Sequence, residues 1–401
     1  MRHTVTMSPD SLWGLPQIRA VCLMAFAGIS SFAVMLAALP VWGVGHAVPA
    51  HLAGTITTVM LAATVLTQVV SPALMRRFSL RGLLVWGLVL LGLPAPLYLW
   101  ATALPGLYAV SAVRGVGFGL LTVTAALAIQ VAAPPGRQGE AIGLFGLAGA
   151  IPTMIGAAIG AGLTLSGNFG WVCVIAATPL LGLAAARGVT ADGTAPGGAG
   201  ESLPMRIALR RLVVPVVLLF AATAAGGAVI TVVPLELTGS ARAALVLLVF
   251  GAVTAYARWR IGRFTDRRGH RLVPQTLTVI GAAGMAVAGW GFAAASVPLL
   301  LAGAIGTGIA YGALQSVTLD LAFSRVPAGQ APIASATWNA FFDAGTATGA
   351  AVFAAVAAGS AGGAGSMLVG TGLFLLVGLA TVRSALAPWL ERRRGPGRME
   401  P

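Results

Sequence analysis

The sequence predicts an all-α membrane protein: twelve transmembrane helices in two pseudo-symmetric six-helix bundles. Three observations carry that expectation. Of 401 residues, 58% are hydrophobic and only 8% charged, where a soluble domain carries about 25% charged residues. Apolar runs recur from end to end, each close to the roughly 20 residues that cross a hydrocarbon core. Short motifs also recur at a fixed interval, as duplicated halves do. A water-soluble globular fold is excluded, and so is a fibrous one, because the 54 glycines follow no three-residue period.

Taken in order, the apolar runs cover residues 18–41, 52–74, 83–102, 107–132, 141–165 and 169–186, then 212–233, 243–261, 272–294, 299–323, 332–358 and 367–386. Segment 188–211 opens on the only long polar, glycine-rich stretch, GVTADGTAPGGAGESL. It reads as a flexible cytoplasmic linker between an N-terminal bundle, 1–187, and a C-terminal bundle with a short basic tail, 212–401. The motif interval supports that division: Arg76 and Arg77 recur as Arg267 and Arg268, and Gly115 and Gly117 as Gly306 and Gly308, each 191 residues on.

The formal charge of +14 would suit nucleic-acid binding in a soluble protein, so its placement decides. All 24 Lys-or-Arg positions are arginine. Apart from Arg114, inside span four, and Arg242, between spans seven and eight, they fall at the termini and in alternate loops. Those loops hold Arg76, Arg77 and Arg81; Arg137; Arg187, Arg206, Arg210 and Arg211; the run from Arg258 to Arg271; and Arg325. Basic loops resist translocation. Both termini are therefore expected in the cytoplasm, with the chain multi-pass in the cell inner (plasma) membrane and nucleic acid not a partner. The first apolar run has no small-residue cleavage site and is expected to be retained as span one. Cys22 and Cys173 fall in different spans and read as small buried hydrophobes.

The loop after span eight reads GRFTDRRGHR, from Gly262 to Arg271. Its two glycines permit a tight turn, Asp266 can accept bonds from a neighbouring helix N-terminus, and the arginines reach carboxylates and lipid phosphates. This stretch resembles the G-x-x-x-D-R-x-G-R-R signature of the major facilitator superfamily, which normally lies between spans two and three and recurs between eight and nine. The resemblance implies a conformational latch of Gly262, Asp266, Arg267, Gly269 and Arg271. With Asp320 these residues are expected to form an inner-face network holding the second half against span five; the plain alternative is a solvated basic loop. The loop around Arg76 departs from the pattern, with Met75 in place of the acid and Phe78 in place of the second glycine.

Arg114 and the glycines after it are similar to the superfamily's R-x-x-x-G motif, although Gly117 comes one residue early. An arginine inside a span costs at least about 2.5 kcal/mol on insertion scales, so it should face protein or water. It is either a structural partner of helix carbonyls or a carboxylate, or a group that handles substrate and protons. Span five carries Gly146, Gly149, Gly156 and Gly160 on one helical face with Pro152 in register. That face lets another helix approach closely, and it resembles the superfamily's antiporter motif with two glycines replaced by Ile151 and Ile155. Close packing alone explains it equally well; the resemblance favours export. Span eleven places Ser335, Asn339 and Asp343 at intervals of four, and the stretch around them looks like part of bacterial efflux permeases.

Asp343 is the only carboxyl deep in a span, where low dielectric disfavours the ionised form. It is the expected proton-coupling group, with Arg114 beside it as the second; Asn339, one turn earlier, is expected to bond it. The structural alternative is a carboxylate permanently paired with an arginine such as Arg114. Ser30, Ser31, Arg114, Thr223, Gln315 and Asn339 are the expected polar lining of a central cavity.

The resulting expectation is a secondary transporter of the drug/proton-antiporter-like efflux branch, exporting a small organic molecule against protons by alternating access. One charge moved through 100 mV supplies about 2.3 kcal/mol, or roughly a fiftyfold gradient, so one carboxyl is enough. The alternatives are an importer or facilitator of a small metabolite, a non-transporting membrane sensor, and a membrane enzyme. The enzyme reading lacks a convergent cluster: His46 and His51 are the only paired histidines and read as loop residues. A nucleotide-binding loop is impossible without lysine. Expected partners are the substrate, protons and lipid; no cofactor or metal is expected, and the chain is expected to act as a monomer.

Overall fold

The computed structural model describes residues 11–189, 203–237, 241–270 and 272–393, and among these every regular element is helical. Twelve helices are long and apolar enough to cross a membrane. Spans one to six are Pro16–Gly45, Thr55–Met75, Leu80–Leu99, Leu104–Ala132, Gln138–Leu165 and Phe169–Gly188. Spans seven to twelve are Met205–Glu236, Ala241–Arg268, Val273–Ala293, Val297–Ser324, Ala328–Ala357 and Gly362–Val382. Two of them break where proline removes a backbone donor: span three tightens into a 3-10 turn after Pro94, and span six is interrupted before Pro179. Large apolar side chains such as Leu66, Val69, Leu181, Leu376 and Leu379 remain exposed, as lipid-facing residues must.

Two boundaries differ from the sequence reading, and both follow from helices running past their apolar stretches. Residues 205–211, expected at the end of the linker, form the first turns of span seven, while 190–202 lie outside the described residues. Arg258, expected in the basic inner loop, lies inside the continuous helix of span eight, ten residues before its end at Arg268.

The chain gathers into two compact units. The first is residues 1–212 with 322–343; it is centred on spans one and four, and its core includes Val34, Met35, Leu39, Ile56, Tyr98 and Phe169. The second is residues 213–321 with 344–401, with Phe250, Met285, Tyr311, Leu314 and Phe374 at its centre.

Small residues set the helix spacing within each unit. A methyl group on Gly160 would overlap the Val34 carbonyl, and one on Gly156 would stand 2.5 Å from the Ala33 side chain, so the glycine face of span five is filled by span one. Gly149 meets Ile29 in the same seam, and Gly146 and Pro152 are buried with it. Spans two and four pack through Gly115 on the Met60 carbonyl and Gly119 on the Thr64 carbonyl. Spans eight and ten pack in the same way, Gly308 on the Phe250 carbonyl and Gly312 on the Thr254 carbonyl.

Candidate functional site

Asp343 lies near the middle of the span-eleven helix, Ala331–Ala357, and within the first unit. Its Oδ2 accepts a hydrogen bond of 2.8 Å from the Gln68 side-chain amide on span two. The same amide nitrogen lies 3.4 Å from Thr122 Oγ1 on span four, while Gln68 Oε1 is buried without a partner. Ser335, two turns before Asp343, ties span eleven to span four through a bond of 2.8 Å to the Val123 carbonyl. The expected bond from Asn339 is replaced by this arrangement: Asn339 donates to the Ser335 carbonyl of its own helix at 2.9 Å. The carboxyl thus meets a neutral amide from another helix. Gln68 carried no signal in the sequence beyond being a lone glutamine in an apolar span.

Arg114 is fully buried elsewhere in the unit. Its Nε donates to the Leu91 carbonyl at 3.0 Å, and one terminal nitrogen donates to Ser31 Oγ at 2.8 Å and to the Ser31 carbonyl at 3.2 Å. The guanidinium lies over the Tyr98 ring, 5.5 Å from its centroid. Ser31 in turn donates to the Ala176 carbonyl. Spans one, three, four and six are joined here through these bonds, while the other terminal nitrogen of Arg114 is buried without a partner. Arg114 and Asp343 are therefore not bonded to each other, and both Arg114 and Ser31 are fully buried. Ser30 donates to the Phe26 carbonyl of its own helix at 2.7 Å.

In the second unit, Thr223 is buried, bonds the Leu219 carbonyl of its own helix at 3.0 Å, and packs against Gly345. Gln315, only 1% exposed, leaves its amide nitrogen without a partner. Arg258 was not among the expected site residues; its Nε is buried and also unpartnered. Tyr311 of span ten stacks on Phe250 at 5.4 Å and is held against Gly226 of span seven.

The end of span eight in the second unit carries the sequence expected to form the latch. Gly269 adopts φ +73°, the left-handed conformation that a turn after a helix requires. Gly262 is buried and Asp266 is half-buried, whereas Arg267 is exposed; Arg271 lies outside the described residues. Asp320 bonds His270 Nε2 at 2.8 Å. His270 stands at a position where the signature carries arginine, and the pair is ionic only while that histidine is protonated.

Comparison with known proteins follows the same lines. A family model described as Major Facilitator Superfamily matches residues 21–284. No curated protein sequence matches the chain. Among solved structures, the human organic anion transporter MFSD10 (TETRAN) aligns with a TM-score of 0.70 at 17% identity, over 91% of this chain and 98% of that one. The E. coli fucose:proton symporter FucP aligns at 0.70 and 15%, over 90% and 97%. A bacterial homologue of the iron transporter ferroportin, in an outward-facing state, aligns at 0.71 and 12%, over 92% and 98%. At these identities the likeness is one of fold.

Proposed function

Because the chain belongs to the Major Facilitator Superfamily, we propose that it is a proton-coupled secondary transporter that exports a small organic molecule by alternating access. Asp343 carries the proton in this reading. The observation that supports it is the 2.8 Å bond from the Gln68 amide to Asp343 within the spans. A cation beside the carboxylate would hold it ionised; a neutral amide supplies one donor and leaves most of the cost of a charge in low dielectric uncompensated. An amide also serves both protonation states. It donates through Nε2 to the carboxylate and, rotated, accepts from the acid through Oε1, the atom that is otherwise unpartnered. Arg114 acts as a positioning residue that ties spans one, three and four together. The His270–Asp320 pair belongs to the inner latch. The two six-helix bundles are the moving bodies, with both termini cytoplasmic by the distribution of arginine. Export, rather than import or facilitation, rests on the antiporter resemblance of span five.

The test is transport by the purified full-length chain in proteoliposomes carrying an imposed pH gradient, with cargo taken from the difference between metabolites exported by cells with and without the chain. Asp343→Asn is expected to abolish uphill movement while leaving downhill exchange. Uphill transport with unaltered pH dependence in that variant would move the coupling to another group.

A further inference from the structure

Spans eight and ten run side by side in the second unit with constant register: Phe250 faces Gly308, Thr254 faces Gly312, and the Arg258 carbonyl accepts a 3.0 Å bond from Ser316, each pair 58 residues apart. The Arg258 side chain leaves this seam about 15 Å before the end of its helix, at a rise of 1.5 Å per residue. A helical side chain leans toward its own N-terminus, which carries the guanidinium back to the level of Tyr311 and Gln315.

Arg114 meets carbonyls and a hydroxyl through Nε and one terminal nitrogen, and its other terminal nitrogen is buried without a partner. Arg258 has its Nε buried with no acceptor, and Gln315 has its Nε2 buried with none. Among the described residues no carboxylate pairs with Arg258. Both orphaned groups are donors, so an acceptor completes both, and a negatively charged one also offsets the cost of a guanidinium in a span.

Spans two and four of the first unit offer a second copy of the same seam. Thr64 bonds the Gly115 carbonyl there as Thr254 bonds the Gly308 carbonyl here. Thr64 precedes Thr254 by 190 residues, and the same step takes Gln68 to Arg258. In the first unit the donor at this position is matched by a carboxylate of the chain itself, Asp343. In the second unit a stronger donor stands at the equivalent place, and no carboxylate among the described residues pairs with it.

We propose that Arg258 and Gln315 form an anion-binding subsite that takes the carboxylate of a small organic acid, which makes the transported molecule an organic anion. The planar guanidinium fork matches a carboxylate in two parallel bonds, Gln315 adds a third donor, and the Tyr311 ring supplies a wall. The substrate class rests on the transporter reading above, whereas the binding site does not.

The experiment is thermal unfolding of the detergent-purified full-length chain, without any gradient, titrated with a panel of two- to eight-carbon mono- and dicarboxylates. Each acid is paired with its carboxamide, and inorganic phosphate is run beside them. At least one carboxylate is expected to stabilise the wild type where its carboxamide does not. Arg258→Gln is expected to weaken that response roughly tenfold to hundredfold, as loss of charge-assisted bonds does; Arg258→Lys falls between, and Gln315→Leu weakens it several-fold. The proposal is overturned if no carboxylate outperforms its carboxamide, or if Arg258→Gln binds as the wild type does. Phosphate binding as tightly as the best acid, with the same sensitivity to Arg258→Gln, overturns the organic-acid assignment. Because binding needs no gradient, these results stand apart from the fate of Asp343 as the proton carrier.

Discussion

Spans two and four, and spans eight and ten, are one helix pair built twice, with glycines against carbonyls and a threonine bonding across each seam. The copies diverge a single turn further on. The first has Gln68 on Asp343; the second has Arg258, with no acid paired to it among the described residues. Identical backbone packing therefore fixes where a polar side chain enters the interior and leaves its charge free to differ. A neutral donor over an internal carboxyl suits a proton that comes and goes. A permanent cation whose Nε is left without an acceptor suits a ligand that does the same.

That contrast can be broken most directly by making the first seam resemble the second. Gln68→Arg would set a fixed cation on Asp343 and hold it ionised. Proton-driven uphill transport in proteoliposomes is expected to fall by roughly tenfold or more, since each 1.36 kcal/mol of preference for the charged form is one decade. Retained coupling in that variant would remove Gln68 from the proton's path.

The next effect separates packing glycines from incidental ones. Gly160→Ala should cost about 1–3 kcal/mol, because its methyl collides with the rigid Val34 carbonyl. Gly162, one step around the same helix, has open space and should tolerate alanine within about 0.5 kcal/mol. Unfolding midpoints in detergent measure both, and equal losses would mean that the seam between spans one and five is looser than described.

Arg114→Lys sharpens the difference between the two intramembrane arginines. An ammonium cannot reach the Leu91 and Ser31 acceptors together, so a loss of about 1–2 kcal/mol in stability is expected. The expected signature is a lower unfolding midpoint with flux per folded molecule largely kept, whereas Arg258→Lys should lower carboxylate affinity with an unchanged midpoint. Lost flux in a fully stable Arg114→Lys chain would restore Arg114 to substrate or proton handling.

The smallest effect checks the repeat itself. Thr64→Val and Thr254→Val each remove one cross-span bond and should cost about 0.6 kcal/mol, the average found for such bonds in membranes. Matched losses in thermal unfolding are expected; a large loss in only one copy would mean that the seams are not equivalent.

The sequence by itself determined the membrane class, the count of twelve spans and their approximate ends, because the transfer of an apolar helix into lipid is a local property that adds up over about 20 residues. The turn at Gly269 was legible for the same reason, since a glycine at positive φ is a local requirement. Partners were decided by tertiary structure. Gln68 and Asp343 are 275 residues apart, and hydropathy says nothing about which polar groups meet across helices. Arg258 was read together with the loop arginines that follow it, although it lies within the apolar run 243–261 of a helix that continues to Arg268. The interval of 191 residues slid for a related reason: by their contacts Gly115 corresponds to Gly308, 193 residues on, and Thr64 to Thr254, 190 on. Loops of different length shift the numbering between helices, while the packed seam, where only glycine lets a carbonyl approach, holds the true register.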